Sequence, residues 1–165
     1  MSAFLLLALA VGADPVEIAG LKATPPEGWK VKPLPGGSMR LMQFTVPKAA
    51  GDAVDAEVAV FALSASGTAE QNLKRQLDKF LDDNRKEVRA TTKFGAIDAT
   101  YQDVTGTFKK KPFQAAEKFT PVPDYRQLYV LFEKDGKQYY LWLLGPAKTV
   151  DKHKKGFEDW LKSFK

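Results

Sequence analysis

Lys109-Lys110-Lys111, followed closely by Phe113 and Lys118, gathers basic charge and an aromatic ring in one short stretch. Residues of these types can contact an anionic polymer or lipid head groups, with an affinity that falls as salt rises. The same residues also serve to keep a loop solvated, and both readings stand. Lys109, Lys110, Lys111, Phe113 and Lys118 are the candidate binding residues.

No comparable set points to catalysis. The single histidine, His153, lies among Lys152, Lys154 and Lys155 on what helical periodicity makes an exposed face, where like charges make it a poor base. One histidine and no cysteine exclude a multi-histidine or thiolate metal site, a cysteine nucleophile and disulfides. Asp98 and Asp103 come nearest to a carboxylate pair, but an odd spacing on one strand sends them to opposite faces. Asp14, Asp52 and Asp55 do not follow calcium-loop spacing. Ser38, Ser64, Ser66 and Ser163 sit in no G-x-S-x-G elbow. Pro35-Gly36-Gly37-Ser38 lacks the Lys-Ser/Thr pair a phosphate-binding loop requires. No catalytic residue, metal ligand or cofactor is assigned, and the expectation is a protein that is not an enzyme.

A second candidate feature is the aromatic trio Tyr129, Tyr140 and Trp142. Uncovered, these rings could form a platform for sugar rings or a partner; beneath a helix they are core.

The chain has 165 residues, 44% hydrophobic and 27% charged, with a net charge of +5. That composition belongs to one ordinary globular domain and excludes wholesale disorder. Acidic residues are interspersed with the basic ones, which argues against a nucleic-acid partner.

Met1 to Ala13 carries no charged side chain, and Phe4 to Val11 is an unbroken apolar block. Val11-Gly12-Ala13 then supplies the small residues a signal peptidase reads. The block is far short of the roughly 20 apolar residues that cross a bilayer. Residues 1–13 are therefore expected to be a signal peptide, although no Lys or Arg precedes the block. The protein is expected to be exported, periplasmic or secreted, with no integral membrane span.

Behind the leader, residues 14–37 hold Pro15, Pro25, Pro26, Pro33 and Pro35 and read as an extended opening segment, with Trp29 tucked onto the core edge. Residues 38–165 read as a single domain. Arg40 to Val46 alternates as a strand, and Glu57 to Leu63 is apolar on both faces. Thr68-Ala69-Glu70-Gln71 is a capping box opening a helix, with Leu73, Leu77, Phe80 and Leu81 as its apolar stripe and an end near Asn84. Lys86 to Lys93 reads as a charged connector, and Ile97 to Phe108 as a strand broken at Gly106. Lys109 to Pro123 reads as a long loop. Asp135-Gly136 is a type I′ hairpin dipeptide, pairing Phe132 with Tyr139, Val130 with Leu141, and Leu128 with Leu143. Thr149 is expected to cap a last helix whose stripe is Val150, Phe157, Trp160, Leu161 and Phe164. These elements predict an α+β fold: a single, mainly antiparallel sheet with helices on both faces.

The order of elements resembles the PsbP-like α/β/α sandwich family. The resemblance rests on the opening Pro26-Glu27-Gly28-Trp29, the capped helix, the Asp135-Gly136 hairpin, and the close from Gly145-Pro146 to Phe157, Trp160, Leu161, Ser163 and Phe164. The chain is also similar to small exported proteins of planctomycete-type bacteria. The resemblance implies a fold and a habit of non-catalytic accessory or interaction roles, and it carries over no catalytic or metal-binding residue. The expected function is that of an exported, non-enzymatic accessory or binding domain. It would act by surface contact with a protein or an anionic envelope component. The alternative is a small-molecule binder or hydrolase with a pocket between sheet and helix.

Overall fold

The computed structural model describes residues 13–64, 67–113 and 115–165, so the expected leader, apart from Ala13, lies outside the described residues. In chain order the elements are β1 (Val16–Ile18), β2 (Leu21–Ala23), β3 (Lys30–Val31), β4 (Arg40–Val46), β5 (Ala56–Ser64), α1 (Ala69–Leu77), β6 (Lys86–Phe94), β7 (Ile97–Lys110), β8 (Thr120–Lys134), β9 (Lys137–Pro146) and α2 (Ala147–Lys162). Asp135 and Gly136 both take positive φ, 52° and 71°, the backbone that a two-residue type I′ turn demands. That turn sets the predicted register, with Phe132 opposite Tyr139, Val130 opposite Leu141 and Leu128 opposite Leu143. The seven-stranded antiparallel sheet runs β3-β4-β5-β9-β8-β7-β6. β1 and β2 form a separate two-stranded sheet, so the strands make two sheets rather than the one expected.

Successive residues of a strand point to opposite sides, and those of β8 divide between two clusters. Leu128, Val130 and Phe132 join the larger core with Val150, Phe157, Trp160 and Leu161 of α2. Tyr129 and Leu131 join Leu73 of α1 and Tyr140 of β9. The predicted stripe of α2 is wholly buried, and Trp29, as expected, is buried among Phe44, Phe157 and Trp160. α1 is attached partly by glutamines. Gln102 donates to the Leu73 carbonyl at 3.0 Å, and Gln127 donates to the Gln76 side chain at 3.1 Å.

Several local expectations fail for identifiable reasons. The capping box on Thr68 is present, but α1 ends at Leu77 with Asp78 as its C-cap. Beyond it Phe80 bridges to Phe108, the Leu81 N–H donates to Thr107 and the Lys109 N–H donates to Lys79. The far end of β7 thus supplies the hydrogen bonds that another helical turn would have made. The run expected as a charged connector is the edge strand β6, whose charged, exposed residues are what an unpaired edge tolerates. The predicted long loop is shorter, because β7 runs through Lys110 and β8 starts at Thr120; the Gly106 break is a register shift between Gly106 and Phe108. Thr149 does not cap α2 but sits inside it, and the Asp52 carboxylate accepts from both its N–H, at 3.0 Å, and its hydroxyl, at 2.6 Å. A loop carboxylate thereby meets the positive end of a helix that has no acid in its first turn.

Candidate functional site

The bent end of β7, the C-terminal half of α1 and the start of β4 surround a cleft of about 900 Å³. Its floor is the sheet surface beside α1, with Phe61 and Leu63 of β5 and Trp142 of β9, and with Tyr140 of β9 and Tyr129 of β8 at the margin that α1 covers. Period-two alternation in β5 and β9 turns these rings to one side, and their pairing across the strands brings Phe61 and Trp142 to 4.6 Å between centroids. Of the aromatic trio, Tyr129 and Tyr140 are buried beside Leu73, and Trp142 is half-buried on the cleft floor. Helix burial therefore accounts for two of the three rings.

Cations dominate the walls: Arg40, Arg75, Lys79, Lys109, Lys110 and Lys111 face only the carboxylates of Glu57 and Asp78. Glu57 is engaged by Arg40 at 3.0 Å and by the Gln43 amide. Asp78 pairs with Lys74 at 2.8 Å and with Arg85. Lys79 makes no ion pair among the described residues; its ammonium lies 4.4 Å from the Trp142 ring centroid, and the Arg40 guanidinium lies 5.9 Å from the same ring. Burial, followed by the Arg40 charge, lowers Lys79 to about 8, against an opposing pull from Glu57. Burial also pushes the Tyr129 hydroxyl upward, which keeps it a proton donor. That hydroxyl and the Trp142 indole N–H are buried without a hydrogen-bond partner among the described residues.

Lys109, Lys110, Lys111 and Phe113 lie together along one wall, and Lys118 does not line the cleft. Lys109 is on β7 and donates to the Asp78 carbonyl at 3.1 Å, whereas Phe113 is 65% exposed. Sequence reasoning missed Lys79 and Arg40. Lys79 falls within the predicted helix but off its apolar stripe, and the helix ends at Leu77 before reaching it.

The remaining candidates do not converge. Asp98 pairs with Lys93 at the surface, while Asp103 is held by Arg126 on the side of α2, so the opposite-face expectation for the two aspartates is met. His153 is half-buried rather than exposed. Its Nε2 is 2.8 Å from the Pro47 carbonyl, and its Nδ1 accepts from the Trp29 indole at 3.4 Å. Among the described residues no group of three His, Asp or Glu is placed to hold a metal, and no helix is long and apolar enough to cross a membrane.

A mainly antiparallel sheet with two helices in this order is a PsbP-like fold. Among solved structures the chain is similar to the solution structure of cyanobacterial PsbP (CyanoP) from Synechocystis sp. PCC 6803. The TM-score is 0.59 at 14% identity, over 100% of this chain and 98% of that one. It is also similar to the crystal structure of PA94 from Pseudomonas aeruginosa, a protein of unknown function, with a TM-score of 0.51 at 14% identity over 92% and 95% of the two chains. At such identities the likeness is one of fold alone. No family model and no curated protein matches the chain. The expected likeness to planctomycete proteins finds no support in these comparisons.

Proposed function

We propose that the chain is an exported, non-enzymatic accessory or binding domain, built as an α/β/α sandwich with helices on both faces of the large sheet. It acts by surface contact with a protein or an anionic envelope component. The observation that carries this reading is the cation-rich wall formed by Lys109, Lys110 and Lys111 beside the exposed ring of Phe113. Basic charge next to an exposed apolar ring suits an anionic partner, with Lys118 adding to the field from outside the cleft. Export rests on the apolar residues 1–13, with the opening segment 14–37 and the domain 38–165 left after cleavage. The test is retention on immobilised heparin and co-sedimentation with anionic vesicles. The triple variant Lys109→Ala, Lys110→Ala, Lys111→Ala should elute at markedly lower salt, and unchanged retention would sink the role of this wall. A mature protein whose first residue is Asp14 is the expected outcome for export.

The cleft itself favours a second reading, a small-molecule binder with its pocket between α1 and the sheet. Hydrolysis is the weaker half of that alternative, because Glu57 and Asp78 are each held by cations rather than by one another.

A further inference from the structure

The cleft contains an arrangement that surface contact with a macromolecule does not use. Within it stands Lys79, a half-buried cation with no ion pair among the described residues, its ammonium 4.4 Å from the Trp142 ring centroid, while the Tyr129 hydroxyl and the Trp142 indole N–H are sealed beneath the floor. Tyr129 is 1% exposed. At the mouth the polarity reverses: Met39 and Phe113, which border the cleft from opposite walls, are 62% and 65% exposed. A polar ligand such as a free phosphate would leave those apolar side chains uncovered, and a neutral apolar ligand would leave Lys79 uncompensated. A volume of about 900 Å³ lies within the range of small-molecule sites.

We propose that the cleft binds a small amphiphilic monoanion, a carboxylate joined to an apolar body. Its head group lies against the Lys79 ammonium, and its body runs over Leu63 toward Met39 and Phe113. This deepens the small-molecule reading and is independent of the macromolecular role of the lysine wall. Arg40 is less available to the head group because Glu57 already holds it at 3.0 Å. Lys79 therefore supplies the discriminating charge. Burial that disfavours its ammonium is offset only in part by Glu57 and is relieved further when a carboxylate arrives, so the charge contributes to affinity as well as to specificity.

Displacement of anilinonaphthalene sulfonate by dodecanoate or by dodecanol, an uncharged molecule of the same chain length, tests the assignment on the full chain. Dodecanoate should displace the dye at concentrations on the order of tenfold lower than dodecanol. Lys79→Met, which keeps the apolar stem, should erase that difference while leaving dodecanol unaffected, and Lys79→Arg should restore most of it. Equal displacement by the two ligands, or an unchanged dodecanoate response in Lys79→Met, overturns the proposal. The double variant Lys110→Ala, Lys111→Ala, which removes two charges from the cleft wall, should lower dodecanoate affinity less than Lys79→Met does, even where it loses heparin. If it lowers dodecanoate affinity more than Lys79→Met, the anion sits on the lysine wall and the assignment to Lys79 is wrong. Should Lys79→Met fail to fold, Lys79→Gln, which removes the charge and keeps a polar stem, carries the same comparison, and an unchanged dodecanoate preference overturns the proposal.

Discussion

The ammonium of Lys79 and the indole of Trp142 face each other at 4.4 Å, closer than any other cation and ring in the protein's described residues. Such a contact offsets part of the cost of a half-buried charge but not all of it. The residue behind that cost gives the first prediction.

In the folded chain Lys79 titrates near 8 rather than 10.5, because burial and then Arg40 oppose its charge while Glu57 favours it. From about pH 8 up to 10 the unfolded chain binds more protons than the folded one, so stability rises with pH across that window. Above 10 the buried Tyr101 and Tyr129 hydroxyls, both pushed upward by burial, reverse the slope. Lys79→Met should remove the rise and stabilise the protein at pH 7 by on the order of 2 kcal/mol. Urea unfolding at a series of pH values measures it. A variant curve that climbs as steeply as the parent's counts against the account.

Anion binding carries the opposite sign. As Lys79 loses its proton above about pH 8, dodecanoate affinity should fall. The other charges around it are Arg40 of β4, Glu57 of β5, Arg75 and Asp78 at the end of α1, and Lys109 of β7. Dye displacement at pH 7 and pH 9 checks the direction, and stronger binding at the higher pH refutes it.

Trp160 and Leu77 both lie on predicted apolar stripes, yet Trp160 is 3% exposed in the main core and Leu77 is only half-buried. Trp160→Ala, and likewise Phe80→Ala, should cost about 3–5 kcal/mol. Leu77→Ala should cost about 1 kcal/mol. Equal losses at Leu77 and Trp160 in chemical denaturation would mean that Leu77 is packed as fully as the main core.

Arg126 holds Asp103 through two nitrogens, at 2.8 and 2.5 Å, and also contacts Asp151. Arg126→Met would leave Asp103, 12% exposed at its side chain, without its partner, at a cost of about 3 kcal/mol. Adding Asp103→Leu should return most of that loss. A double-mutant cycle with additive effects would show the pair to be uncoupled.

Thr68 accepts from the Gln71 N–H while the Gln71 side chain accepts from the Thr68 N–H, at 3.2 and 2.9 Å. Thr68→Ala should cost about 1 kcal/mol. It should also speed amide exchange in the first turn of α1 ahead of the sheet, and uniform exchange across both would argue against a local cap.

Most of the architecture was legible in strong local signals. A capping box, an Asp-Gly turn and the aromatic stripe of α2 each specify backbone with little help from distant residues. What escaped depends on partners far along the chain. β6 is recognisable only once β7 is beside it, since its residues are those of a solvated segment. Phe80 satisfies a helical stripe and an extended bridge equally well over so short a run, and only the Thr107 and Lys109 backbone decides between them. The lysine wall could be read because its charges are consecutive. Lys79 could not, because its importance comes from Trp142, contributed by a strand much later in the chain.

The backbone bonds on either side of Lys79 have a consequence in time. Its N–H donates to Gln76, its carbonyl accepts from Lys109 at 2.8 Å, and the Leu81 N–H that follows is bonded to Thr107. The charge therefore projects from an anchored rung, and only its four-carbon stem has to swing to meet an incoming anion. Binding should then be a one-step encounter, its observed rate linear in ligand concentration with no plateau from a slow closing motion.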